Sequence, residues 1–201
     1  MRCLAIDTSG DHLTVALIDG ESVIYEFCQD TGLRHSISLM PYIEKVLDKA
    51  GLTPKDIDVY SCVIGPGSFT GIRIGVSTVK AFSYANNKPV LPVTSFEVLE
   101  YNKPYGKNIT VIDARHDNYY ASIYEDNIVV KEPCFLTKDE ILCLKDSYDV
   151  LSATDSDITT VKCDLLQGLV KAVKEKLKTS ITDRESLIPL YVKKSQAEEG
   201  L

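Results

Sequence analysis

The chain of 201 residues carries 44% hydrophobic and 25% charged side chains, enough apolar material to fill one domain or two small lobes and too much for a disordered chain. Its net charge of −7 divides into −4 over residues 1–100 and −3 over residues 101–201, so neither half is the basic footprint of a nucleic-acid binder. No run approaches the roughly 18 apolar residues of a membrane span, the N-terminus enters a strand pattern rather than a signal peptide, and the six cysteines and three histidines lack zinc-ligand spacing; reduced thiols, a cytoplasmic location and no membrane association are expected.

Residues 3–8, 13–18 and 22–27 read as three short strands, with Asp19-Gly20 as the hairpin turn between the last two. Leu39, Ile43, Val46 and Ala50 recur at helical spacing and predict a helix over 36–50, stopped by Gly51. A buried strand over 59–65, a helix over 69–86 and a strand over 90–93 follow, giving β-β-β-α-β-α-β. The second half repeats the opening at an offset of 106: Ile6-Asp7 falls on Ile112-Asp113, strand 13–18 on 119–124, and Val23-Ile24 on Val129-Val130. A helix over 138–144, a strand at 150–151 and an amphipathic helix over 164–178 complete an abbreviated second lobe. The expected architecture is α/β, with duplicated β-β-β-α-β-α lobes at 1–100 and 101–201. Each lobe opens with an Asp after its first strand, which resembles the actin-like, Hsp70-like (ribonuclease H-like) superfamily. In that superfamily an Asp-x-Gly/Thr turn handles phosphate and the magnesium shell, so the resemblance makes Asp7, Thr8 and Ser9 candidates for nucleotide or partner contact.

Four glycines fall within Gly65-Pro66-Gly67-Ser68-Phe69-Thr70-Gly71-Ile72-Arg73-Ile74-Gly75, after a buried strand and at the opening of a helix, where backbone amides can face an anion. Gly67 and Ser68 join the contact candidates on that ground. A dinucleotide fingerprint fails because Thr70 stands where its third glycine is required, and a P-loop fails because no Lys-Ser or Lys-Thr follows Gly71.

Residue by residue this segment resembles the signature of the bacterial TsaB (YeaZ) family. Leu4-Ala5-Ile6-Asp7-Thr8-Ser9, His35-Ser36 through Leu39-Met40-Pro41, Asp113-Ala114-Arg115, Pro189-Leu190-Tyr191 and Ser195-Gln196-Ala197-Glu198 extend the resemblance, which is strongest over residues 1–125 and weaker over 126–185. The resemblance implies a non-catalytic subunit that dimerises with and activates a TsaD-like transferase. That complex would also contain a TsaE-like ATPase and move a threonylcarbamoyl group onto the adenosine beside the anticodon of ANN-decoding tRNAs. ATP and metal would belong to the partner subunits, with no cofactor required by this chain, tRNA reached through the complex, and a homodimer when alone. The related TsaD has an HxxxH metal pair where this sequence has Ser95 and Leu99, neither of which can replace an imidazole, so no metal site, transferase site or peptidase chemistry is expected here. The alternative is a small actin-like ATPase or kinase using Asp7 and the glycine-rich turn.

Arg115 lies in a loop beside the expected inter-lobe cleft, where it could clamp phosphate or a partner carboxylate. His35 reads as a helix-entry residue, His12 and His116 as exposed turn residues, and Cys62 as a small core side chain. Lys171, Lys174, Lys176 and Lys178 read as the solvated face of the last helix, whereas Lys193-Lys194 are candidates for tRNA or partner contact. On a helical wheel of 69–86, Ile72, Val76 and Val79 form one apolar face, and Gly71, Gly75, Thr78, Phe82 and Ala85 form a second. The first helix likewise has surplus apolar positions, among them Leu33, Ile37 and Met40. Since one apolar face suffices to cover a sheet, these eight residues are expected to form a partner interface.

Overall fold

The computed structural model describes residues 1–20, 22–30 and 34–192, the side chains of 25–30 excepted. Leu33 and the motif residues from Lys193 onward lie outside the described residues. The elements run β1 (Arg2–Asp7), β2 (His12–Asp19), β3 (Ser22–Asp30), α1 (His35–Ala50), β4 (Val59–Val63), α2 (Phe69–Asn86), β5 (Val90–Val93), α3 (Ser95–Glu100), β6 (Lys107–Asp113), β7 (Asn118–Glu125), β8 (Ile128–Thr137), α4 (Lys138–Leu144), β9 (Asp149–Ser152), β10 (Val161–Lys162) and α5 (Leu165–Lys176).

The strands form two five-stranded sheets of the same order, β3-β2-β1-β4-β5 and β10-β9-β6-β7-β8, each with an antiparallel meander and two parallel additions. The duplication read from the 106-residue offset is therefore present as two copies of one topology. The copies differ by one residue in register: Asp7 faces Thr14, whereas Asp113 faces Tyr119, so the turn after the first strand is shorter in the second lobe.

Strand alternation sends Leu4, Ile6, Leu13, Val15 and Leu17 to one side of the first sheet, where α1 and α2 cover them with Leu39, Ile43, Ile72, Val76 and Val79. Cys3, Ala5, Ala16 and Ile18 face the other side and meet Leu169, Val170, Ala172 and Val173 of α5. The amphipathic last helix, expected to complete the second lobe, thus covers the first sheet. The chain beyond it stays there: Thr182 bridges Val90, Leu187 is in the first lobe's core, and Leu190 N donates to Ile64 O at 2.8 Å. A division at residue 100 describes the strands and misplaces this C-terminal return.

The second sheet packs Ile109, Val111, Ala121, Ile123 and Leu136 against Ile141 of α4. Its opposite face meets α3, a six-residue helix not anticipated from periodicity. A capping box starts α3: the Thr94 hydroxyl accepts from Glu97 N at 3.1 Å, and the Glu97 carboxylate accepts from Thr94 N at 2.7 Å. α3 and α5 lie together between the sheets, so close that a Cβ on Gly168 would come 2.0 Å from Val98 O. Lys176 is not wholly solvated as the charge run suggested; its ammonium pairs with Glu97 at 2.6 Å across the two helices. No helix among the described residues is long and apolar enough to cross a membrane.

Candidate functional site

β1 ends at Asp7, a carboxylate 5% exposed, and the chain turns around it: Oδ1 accepts from Ser9 N at 2.8 Å and from Ser9 Oγ at 2.7 Å. Burial pushes the Asp7 carboxyl above the usual carboxylate range, against the opposing pull of those two bonds and of His35 and His12. His35 is 2% exposed, and its Nε2 lies 2.8 Å from Gly10 O. A carbonyl can only accept, so Nε2 carries the proton there.

The glycine-rich segment is built around this turn. Ser68 N donates to Ser9 O at 2.7 Å, and Thr8 Oγ1 donates to Gly71 O at 2.7 Å. A Cβ on Gly67 would stand 2.3 Å from Ser9 O, one on Gly71 2.0 Å from Thr8 O, and one on Gly75 2.6 Å from Thr8 Oγ1. The Ser68 side chain caps α2 by accepting from Gly71 N at 3.2 Å, while Ser68 O accepts from Ile72 N at 2.9 Å. Ser95 closes the cluster, its backbone N donating to Gly65 O at 2.8 Å and its Oγ donating to Ser9 Oγ at 3.4 Å. Asp7, Thr8, Ser9, Gly67 and Ser68 are therefore brought together, and the room beside Gly67, Gly71 and Gly75 is filled by Thr8 and Ser9 of the same chain.

Arg115 is not part of this cluster in any described contact. Its turn repeats the first in miniature, Arg115 N donating to Asp113 Oδ1 at 2.6 Å, the second-lobe counterpart of Ser9 N on Asp7. Here the turn is exposed, and Arg115, His116 and Asp117 all take left-handed backbone angles, φ 68°, 55° and 55°.

The proposed partner face divides. Ile37 is 72% exposed and Met40 52% exposed on α1, Ala85 is exposed and Thr78 half-buried on α2. Gly71 and Gly75 are buried beneath Thr8, and Phe82 stacks on Tyr60 at 5.4 Å between ring centroids. The wheel demands that α1 or another protein cover the small-residue face; at Gly71 and Gly75 the cover is instead the β1–β2 turn of the same chain, and at Phe82 it is the core residue Tyr60, which corrects the assignment of these three residues to a partner surface.

Sequence reasoning missed an aromatic clamp beside the glycine segment. The Arg73 guanidinium lies 3.7 Å above the Phe69 ring and its Nε donates to Tyr191 Oη at 2.9 Å, tying the C-terminal return to the start of α2. Leu99 is 2% exposed and packs with Leu151 and Cys163; among the described residues no three His, Cys, Asp or Glu side chains could hold one metal ion. Cys62 is fully buried and its thiol is pushed far above its ordinary range by desolvation, with Asp7 adding to the shift.

Residues 29–146 match the family model of TsaD, the tRNA N6-adenosine threonylcarbamoyltransferase. The tRNA threonylcarbamoyladenosine biosynthesis protein TsaB of Bacillus subtilis (strain 168) is 31% identical over 160 residues, 79% of this chain and 69% of that protein. The chain belongs to the TsaB (YeaZ) family. TsaB of Escherichia coli (strain K12) is 30% identical over 132 residues, 62% of this chain and 55% of the relative, so this second match spans about half of its length. The solved YeaZ of Pseudomonas aeruginosa superposes with a TM-score of 0.79 at 22% identity, covering 94% of this chain and 99% of that one. The family fold is thus the actin-like two-lobed fold built above.

Proposed function

We propose that the chain is a non-catalytic subunit of cytoplasmic tRNA threonylcarbamoyladenosine formation, binding and activating a TsaD-like transferase. A TsaE-like ATPase is the third component, and ANN-decoding tRNA is reached through the complex. The observation that carries the non-catalytic part is the self-filled glycine segment: Thr8 and Ser9 occupy the space beside Gly67, Gly71 and Gly75, and the Ser68 and Gly71 amides, which could face an anion, already donate to Ser9 O and Ser68 Oγ. The same packing weighs against the small ATPase or kinase reading, because the Asp7 Oδ1 that such chemistry would use already accepts two hydrogen bonds from Ser9. Neither ATP nor a metal is then required by this chain. The partner surface is the part of the α1–α2 face left open, Ile37, Met40, Thr78 and Ala85, which pairs with a second copy when the chain is alone and with the transferase in the complex.

Light scattering on size-exclusion peaks of the chain, alone and mixed with its own organism's TsaD-like protein, tests this reading. A dimer alone and a mixed complex are expected, both lost on Thr78→Arg or Ala85→Arg with the circular dichroism spectrum intact. A monomer that forms no mixed complex at tens of micromolar, or Arg variants that assemble like wild type, would refute it.

A further inference from the structure

The face of the second sheet turned towards α3 is polar where a core is usually apolar: Asn108, Thr110 and Ser122 are each at most 1% exposed. Against Asn108 the last residue of α3 sets Glu100, which has no accessible surface and opens the connector that carries the chain from the first sheet to the second. The Asn108 amide nitrogen uses both its hydrogens, one towards Glu100 Oε1 at 3.1 Å and one towards Lys103 O at 2.6 Å. That second bond fixes the amide orientation, because reversal would set Oδ1 against a carbonyl oxygen. Two buried side-chain atoms then lack a partner among the described residues, Glu100 Oε2 and Asn108 Oδ1. They belong to the two side chains already joined through their other atoms. Both are pure acceptors while Glu100 is ionised, and a single hydrogen satisfies both.

We propose that Glu100 is held as a neutral carboxylic acid whose Oε2 proton is donated to Asn108 Oδ1, closing an acid–amide ring that locks the connector between the lobes and loosens it when the proton leaves. The surroundings favour the neutral form. Desolvation is the main influence on Glu100 and pushes its carboxyl up to about 7, outweighing the Asn108 hydrogen bond and the Lys103 ammonium. Lys103 is itself paired with Asp149 of β9. Tyr124 on β7 and Cys163 before α5 face the same carboxyl, and burial raises the pKa of both, Cys163 to about 12, so both are uncharged at neutral pH. Glu97 and Glu132 add negative charge around Tyr124, Glu97 being paired with Lys176 from α5. Because the folded-state pKa lies above the unfolded one, the ring's contribution is fully present below about pH 4.5 and is lost as pH rises through about 7.

Carbon-13 NMR of the side-chain carboxyls in the full chain, assigned through bonds and titrated from pH 4 to 9, reads the proton directly. The Glu100 carboxyl carbon is expected to titrate about two units or more above the ordinary glutamate value of about 4.3. Glu100→Gln replaces the acid O–H by an amide N–H and keeps both bonds. Its melting temperature should gain steadily on wild type as pH rises from 5 to 8, and the amides of residues 101–103 and 105–107 should lose hydrogen-exchange protection at pH 8 in wild type only. A Glu100 midpoint at or below about 4.5 overturns the proposal whether or not the variant folds; so do melting temperatures of the two proteins that run parallel with pH.

Discussion

Gly71→Ala puts one methyl group where the structure leaves no room for it. The added Cβ would lie 2.0 Å from Thr8 O, about 1.4 Å inside the 3.4 Å at which ordinary contact begins, and the obstructing atom is backbone rather than a side-chain end that could swing away. Neither partner can yield alone. Gly71 O holds the Thr8 hydroxyl and Ser68 N holds Ser9 O, while Thr8 and Ser9 hang from β1 in the middle of its sheet. Relief requires the first turn of α2 to lift from the turn, straining those two bonds and the packing of Ile72 behind them. Overpacking of this kind costs about 1–3 kcal/mol and a lost buried hydrogen bond about 0.5–1.5 kcal/mol; the better helix propensity of alanine returns up to about 1 kcal/mol. The net expectation is a loss of about 2 kcal/mol, which in a chain of this size lowers the melting temperature by about 4–8 °C. Thermal and urea unfolding followed by circular dichroism measure it, with Gly10→Ala as control: nothing lies within 4 Å of a Cβ there, so a change within about 0.5 kcal/mol is expected. A Gly71→Ala protein as stable as that control would refute the view that the glycine exists to admit the Asp7 turn.

Gly168→Ala should destabilise by a similar ~1–3 kcal/mol, since its Cβ would meet Val98 O at 2.0 Å and push α5 off α3; unchanged urea unfolding would contradict the close crossing of these helices. Under native alkylation at pH 8, the exposed Cys143 should react while Cys3 and Cys62, both without accessible surface and raised in pKa by desolvation, stay unmodified until the protein unfolds. Mass spectrometry of the labelled peptides reads the order, and early labelling of Cys3 or Cys62 would show that the first sheet is not sealed by α1, α2 and α5.

Much of this fold is legible in the chain because its signals are local. The 106-residue offset carried the duplicated meander, and the spacing of Leu39, Ile43 and Val46 carried α1. α3 escaped because six residues make less than two helical turns, although Thr94-x-x-Glu97 is a capping box that marks its start. The stripe of Leu169, Val170 and Val173 shows that α5 must bury one face, but an amphipathic helix does not say which sheet receives it, and the nearer sheet in sequence was the wrong one. The glycine segment shows the same division. Its composition announces a close backbone approach, while the identity of the approaching group, Thr8 and Ser9 rather than a phosphate, follows only from how β1 lies beside β4. Glu100 and Asn108 carry no pattern at all, since nothing in a lone carboxylate and an amide eight positions apart predicts that both lose their water.

Under the proposed function the chain acts by assembling with a transferase and not by turnover of its own. The most informative assay supplies threonylcarbamoyl adenylate as donor, with AMP leaving, and measures threonylcarbamoyladenosine formed on tRNA by its own organism's TsaD-like and TsaE-like proteins, with the wild-type chain, with Asp7→Asn, and with neither. Asparagine keeps the Oδ1 acceptor that Ser9 uses, so product should appear with either form, at rates within about twofold, and vanish without them, while the isolated chain hydrolyses ATP more slowly than about 1 per second. Product formed equally well without the chain, or brisk ATP hydrolysis by the isolated chain that Asp7→Asn abolishes, would contradict it.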